Sequence, residues 1–364
     1  MKILPLLVFL LLLTTSAQAA PPFYHVTDLG TLGRAAGESG ADGINDRGQI
    51  VCHYSLDEGD TPQLPFLWEN ATLKHLHLPP QSYDNGERPW SINNRGEMAG
   101  TVSVEDENHG ASLIRGHLRL LRRLGEGFAL NKSEAYGMND SGQIVGYAAI
   151  KRDPHIVTDL IPHAVLWQNG VIHDLGTLGG SASFAFAING KGDVIGVSDA
   201  PHGKNYVFLY HGGKLAPLSS PPERADFSPT RMNDSGQIVG TSDAKSNDKY
   251  GGERSIPVLW SHNTLTNLCH GNKKYKYGEA NAINDQGQIV GSVNDGAPVD
   301  ENDNAYVDHA ELWQAGSGYD LNKRIQPGKG WKLSEAIGIN SHGWIVGTGI
   351  HNGHTRAFLL IPVK

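Results

Sequence analysis

The apolar positions of this chain fall in short alternating runs, each closed by glycine, asparagine or aspartate. No long apolar stripe with helical spacing interrupts them. Short period-two runs punctuated by turn residues predict strands joined by tight turns, an all-β chain. The runs also recur as a unit. The nonapeptide "MNDSGQIVG" stands at Met138–Gly146 and again at Met232–Gly240. Looser copies occupy Ile44–Cys52, Ile92–Gly100, Ile188–Gly196, Ile283–Gly291 and Ile339–Gly347. The motif asparagines are Asn45, Asn93, Asn139, Asn189, Asn233, Asn284 and Asn340, spaced 44 to 56 residues apart. Spacing in that range marks solenoids, propellers or arrays.

A second segment repeats with it. It reads "PFLWENATLKHL" (Pro65–Leu76), "AVLWQNGVIHDL" (Ala164–Leu175), "VFLYHGGKLAPL" (Val207–Leu218) and "PVLWSHNTLTNL" (Pro257–Leu268), with weaker copies at Ala310–Leu321 and Ser112–Leu124. One unit therefore holds four strands. Strand a ends at the motif asparagine, strand b is the "QIVG" run, strand c the "FLW" run and strand d the "L-x-x-L" run. Four short strands with tight turns form an antiparallel meander, the blade of a β-propeller. A lone blade cannot bury two apolar faces, so the units must stack. Closing the stack into a ring removes its exposed ends.

The chain ends test closure. The seventh unit stops after strand c at Arg356–Lys364, and the chain after its first residues opens with an orphan strand d at Tyr24–Gly33. The expectation is a seven-bladed β-propeller of four-stranded antiparallel blades, a single domain over residues 20–364, its last blade closed by the N-terminal strand.

Turn chemistry explains the motif. An asparagine at the first position bonds its own backbone two residues on. Aspartate and serine suit a type I turn, and glycine supplies positive φ before strand b. A calcium-binding reading of the turn fails in the copies that carry Asn94, Gly190 and Ser341 in place of aspartate. The residues two before the asparagine are small (Gly43, Ser91, Gly137, Ala187, Ala282, Gly338), as converging inner strands require, with Arg231 the exception. Trp68, Trp167, Trp260, Trp313 and Tyr210 end strand c and are expected to pack between blades rather than stack on carbohydrate.

The unit Asp174–Leu215 resembles the HAF repeat of extracellular bacterial proteins, through "LGTLGG-S", "A-AIN--G-VIG" and the strand-c slot "HAFLW". His163 and His309 fill the histidine slot of that repeat, whereas Leu64, Tyr206, Ile256 and Arg356 stand there in other units. The resemblance covers nearly the whole chain beyond the first residues. It implies export and a repeat fold, and brings no activity with it.

The first residues agree with export. Lys2, an apolar run and Ala17-Gln18-Ala19 form the three parts of a signal peptide, with cleavage expected after Ala19. The apolar run is short for a membrane span, and no later segment is apolar enough for one. The chain is expected outside the cytoplasm, extracellular or periplasmic, as a monomer. A net charge of −8 argues against a nucleic-acid partner, which wants a basic surface. Cys52 falls in blade 1 and Cys269 after the outer strand of blade 5. These blades are not neighbours, so free or intermolecular thiols are expected rather than an internal disulfide.

Candidate chemistry lies on the face that carries the b–c and d–a connections, which are longer and more varied than the a–b turns. Arg88, Glu134, Phe184, Ser228, Glu279 and Glu335 enter strand a and are expected to ring the channel mouth. Trp90, Tyr136, Phe186 and Asn281 follow just inside. The three glutamates could hold a cation or a basic group, or simply form a solvated rim. In blade 6, Asp300, Asn302, Asn304, Asp308 and Glu311 fall at positions 1, 3, 5, 9 and 12 of a calcium loop, although Ala305 stands where that loop wants glycine. Calcium is the one cofactor the sequence suggests. A polar loop, with Glu311 paired to an arginine, lysine or His309, is the alternative. The basic run Arg115–Arg123 reads as a charged edge that deters strand pairing, with contact to an anionic surface as the alternative. No linear catalytic motif occurs.

The function read here is an exported repeat scaffold binding a protein or glycan ligand on its loop-rich face. The alternative is a hydrolase or lyase with its site at the channel mouth, Glu134, Glu279 or Glu335 serving as acid or base. A passive structural protein would show neither.

Overall fold

The computed structural model describes residues 20–31, 37–55, 64–76, 78, 91–104, 107–124, 132–151, 160–218, 227–245, 253–270, 272, 274–296, 298–300, 303–327 and 329–363. The signal segment 1–19, Arg88, Trp90 and Asn302 lie outside them. Seven four-stranded antiparallel sheets form the blades of a propeller. Strand a is Glu38–Ile44 in blade 1, Ser91–Ile92 in blade 2, Ser133–Met138 in blade 3 and Ser183–Ile188 in blade 4. It is Ser228–Met232, Tyr277–Ile283 and Trp331–Ile339 in blades 5 to 7. The N-terminal strand Tyr24–Asp28 pairs antiparallel with His354–Pro362, with Tyr24 opposite Pro362 and Asp28 opposite Phe358. It is the fourth strand of blade 7, as the chain ends predict.

The core lies between blades. One buried group joins Leu29, Ile50 and Phe66 to Leu359 across the blade 7–blade 1 seam, where the ring closes. Another joins Ile195 and Val207 of blade 4 to Ile238 and Val258 of blade 5. Trp167, Trp260 and Trp313 are buried, which confirms the strand-c aromatics as packing residues.

The repeated motif is a joint, and it acts on two levels. Within each turn the asparagine Oδ1 accepts the backbone N–H of the residue four on in all seven blades, for example Gln143 to Asn139 at 3.1 Å. The glycine of each copy has φ between 72° and 86°, the left-handed region that a side chain would strain. Between blades, each asparagine Nδ2 donates to the backbone carbonyl of the next motif asparagine. The series runs Asn45, Asn93, Asn139, Asn189, Asn233, Asn284, Asn340 and back to Asn45, at 2.8 to 3.3 Å. Seven buried side chains thus form a closed ring of hydrogen bonds around the axis.

A second regularity was not foreseen. In six of the blades strand a bulges at the residue three before the asparagine: Asp42, Tyr136, Phe186, Thr230, Asn281 and Ile337. A bulge sets two residues against one on the partner strand and turns the chain. It explains the glycine that closes strand b. A Cβ on Gly146 would stand 1.9 Å from the Glu134 carbonyl oxygen, and Gly196, Gly240, Gly291 and Gly347 meet the same obstacle.

Both cysteines are free and buried. Burial raises the thiol of Cys269 to about 12, with the Glu311 charge adding to it. Among the described residues no helix is long and apolar enough to cross a membrane.

Candidate functional site

The a–b turns close one end of the channel and the entries to strand a ring the other, so the loop-rich face carries the predicted candidates. Two clusters stand out there, on opposite sides of the mouth.

The first belongs to blades 3 and 4. Glu134 lies opposite Tyr147 in the a–b register, and its carboxylate accepts from Tyr147 Oη at 3.0 Å. It also accepts from Tyr136 Oη at 2.8 Å and from Asn108 Nδ2 at 2.9 Å. Three donors fix this carboxylate as an anchor for two phenols. Burial and the Glu134 charge push Tyr147 well above its ordinary range and Tyr136 further still, so both stay neutral donors. Tyr136 meets Phe186 with ring centroids 6.0 Å apart, and Tyr147 meets Phe184 edge-on at 5.2 Å. All four rings are half-buried. The result is a fixed aromatic platform with one edge open.

The second cluster is a cleft of about 410 Å³ where blades 5, 6 and 7 meet. It is lined by Arg254, Tyr277, Glu279, Asn294, Asp308 and Glu335, with two serines between them. The Arg254 guanidinium lies 4.8 Å from the Tyr277 ring centre, a cation–π contact. Asn294 Nδ2 donates to Asp308 at 2.8 Å. Asn281, at the bulge of blade 6, donates to Glu335 Oε1 at 2.9 Å and so ties blade 6 to blade 7. Glu279 opens to solvent in this cleft. Its carboxyl is held above the ordinary value by the loss of water around it and then by the charge of Asp308. A carboxyl raised in this way favours a bound proton or a nearby cationic group.

The predicted residues thus separate. Glu134, Tyr136 and Phe186 come together on one side, Glu279 and Glu335 on the other. Of the calcium series, Asp300 and Asn304 fall on a small antiparallel hairpin, Pro298–Asp300 with Asp303–Tyr306. Asp308 lines the cleft. Glu311 instead lies 2% exposed inside blade 6, with its Oε2 unsatisfied. Burial and then the Asp320 charge raise its carboxyl to about 8, against a smaller opposing effect of Lys323. Among the described residues no group of three or more histidine, cysteine, aspartate or glutamate side chains could hold a metal ion.

Sequence reasoning missed Tyr147, Arg254, Tyr277 and Asn294. Tyr147 was within reach, because hairpin pairing sets it opposite Glu134. Arg254 lies at the start of strand c of blade 5 and Asn294 ends strand b of blade 6, strand ends where the repeated motifs carry no matching residue.

No family model matches the chain, and no curated protein matches it by sequence. Solved structures match its fold. The β-propeller domain of the Trilobed protease from Pyrococcus furiosus is 9% identical, with a TM-score of 0.54 over 94% of this chain and 96% of that one. An oligogalacturonate lyase in complex with manganese is 12% identical, with a TM-score of 0.53 over 95% and 97%. TolB from Acinetobacter baumannii aligns more loosely, with 14% identity and a TM-score of 0.42 over 62% of this chain, which spans about half (52%) of TolB. At these identities the likeness is to the propeller fold alone.

Proposed function

We propose that this chain is an exported propeller of the HAF-repeat kind that binds a glycan across the mouth of its loop-rich face. One observation carries the reading: the aromatic platform Tyr136–Phe186 and the carboxylate cleft Glu279–Asp308–Glu335 share one rim. Half-buried rings offer the flat apolar contact that a sugar face presents. Carboxylates, Asn294 and the serines offer acceptors and donors for its hydroxyl groups. The test is an array of neutral, acidic and amino oligosaccharides probed with the chain lacking residues 1–19, followed by calorimetry on any hit. Phe186→Ala and Glu279→Gln should each weaken binding about tenfold, since one stacked ring or one charged hydrogen bond contributes roughly 1–2 kcal/mol. Binding that both variants leave intact would remove the rim from the account. Capture of proteins with no glycan bound would turn the reading to a protein ligand.

A second reading, a hydrolase or lyase, rests on the raised carboxyl of Glu279 beside Asp308. A carboxyl raised above its ordinary value holds its proton to higher pH than a free one and can pass it to a leaving oxygen. Product formation from a bound oligosaccharide, lost in Glu279→Gln with binding retained, would support it.

A further inference from the structure

The channel itself contains a residue that neither the repeat nor the rim explains. At the position two before the motif asparagine, six blades carry Gly43, Ser91, Gly137, Ala187, Ala282 and Gly338, while blade 5 carries Arg231. These residues line an axial cavity of about 170 Å³. Sterically the position asks for a small side chain, because Gly137 already has the Phe186 carbonyl oxygen 3.2 Å from where its Cβ would be. A long cation here is a departure that the scaffold does not need.

The guanidinium has little to satisfy it. Among the described residues its one hydrogen bond runs from Nη1 to the carbonyl of its own neighbour Thr230, at 3.0 Å. No ion pair forms among the described residues. Asp42 lines the same cavity, but its carboxylate is engaged by His53 Nδ1 at 2.9 and 3.1 Å. Enclosure pulls the Arg231 pKa down, with no opposing charge to restore it. Arg231 is half-buried at the channel wall; a partly desolvated charge is favoured by a counter-charge, and a guanidinium is not relieved by losing its proton. Arg231 lines the cavity, and no further hydrogen bond from it forms among the described residues. A planar or tetrahedral oxyanion can take two guanidinium N–H groups side by side.

We propose that the axial channel binds a small oxyanion, a carboxylate or an inorganic tetraoxo anion, on Arg231. The anion supplies the counter-charge that the described residues do not. It sits beneath the rim, at the foot of the candidate glycan site but independent of it.

The test uses thermal melting with sodium acetate and sodium sulfate titrated in turn, a bulky sulfonate salt holding ionic strength constant. Wild type should show a saturable rise of about 2 °C at roughly ten times the dissociation constant. Whether acetate or sulfate acts at lower concentration identifies the class. Arg231→Ala should fold, because six blades already carry small residues there, and should lose the response. Equal responses in both proteins, or none in wild type, would overturn the proposal. Should the variant fail to fold, selenate diffused into wild-type crystals decides: an anomalous peak within hydrogen-bonding reach of Arg231 supports the site, and its absence refutes it. Failure of the glycan reading would leave this result untouched, since neither Phe186 nor Glu279 contacts the anion.

Discussion

Replacing Asn139 by alanine tests whether the motif ring holds the propeller together. Asn139 is 5% exposed. Its Nδ2 donates to Gln143 Oε1 at 2.7 Å and to the Asn189 carbonyl of the next blade at 3.0 Å. Its Oδ1 accepts from the backbone N–H groups of Ser141 and Gln143, both at 3.1 Å. A hydrogen bond is worth about 0.5–1.5 kcal/mol net, which puts this set at roughly 2–6 kcal/mol. Ser141 is exposed, so water can replace one partner. We therefore expect a loss of about 3 kcal/mol, read from urea unfolding of the chain lacking residues 1–19. Asp140→Ala is the control on the same turn. Its carboxylate is exposed and accepts from Asn94, and we expect its removal to cost about 1 kcal/mol or less. Asn139→Asp adds a second axis. It keeps the acceptor but sets a carboxylate against Gln143 Oε1 and the Asn189 carbonyl. The folded state then favours the protonated acid, so the pKa rises on folding. Stability is greatest at low pH and falls as pH rises through the folded value. If Asn139→Ala cost no more than Asp140→Ala, the ring would carry no load and the repetition would need another cause.

Three further outcomes follow from the same geometry. Gly146→Ala should destabilise by about 3 kcal/mol in urea unfolding, because its Cβ would meet the Glu134 carbonyl at 1.9 Å, whereas Gly110→Ala, whose nearest neighbour stands at 3.4 Å, should stay within about 1 kcal/mol. Glu311 has its carboxyl raised to about 8, so its contribution is fully present below the unfolded value near 4.5 and is lost as pH rises to about 8; Glu311→Gln should flatten that slope in pH-dependent melts and be the more stable protein at pH 8, by on the order of 3 kcal/mol. Cys52 and Cys269 should resist alkylation in the native state and react together only on unfolding, since burial raises both thiols; rapid labelling of either without denaturant would contradict their placement.

The sequence by itself determined the blade, the blade number and the closure. Those depend on local events: alternation sets the strands, the Asn-x-x-Gly order sets the turn, and the orphan strand at Tyr24 has one place to go. The places of Glu134, Tyr136 and Phe186 along strand a were also legible, because a repeat transfers position from one blade to the next. What the tertiary structure decided was everything that crosses a blade boundary. The ring from Asn340 back to Asn45 joins residues 295 apart in the chain, and a turn motif gives no hint that its donor reaches the next copy. The division of the rim into an aromatic side and an acidic side follows from which blades face each other. Glu311 fitted a calcium loop by spacing, yet the register of strand c carries its side chain into the blade while Asp308, three residues earlier, lines the cleft. Arg231 was visible as an exception, but only the structure shows that it lines the channel with no ion-pair partner among the described residues. The periodic pattern fixes the backbone because backbone bonds are local and repeated. Side chains acquire partners only when the ring closes, and that step brings together blades whose loops share no pattern.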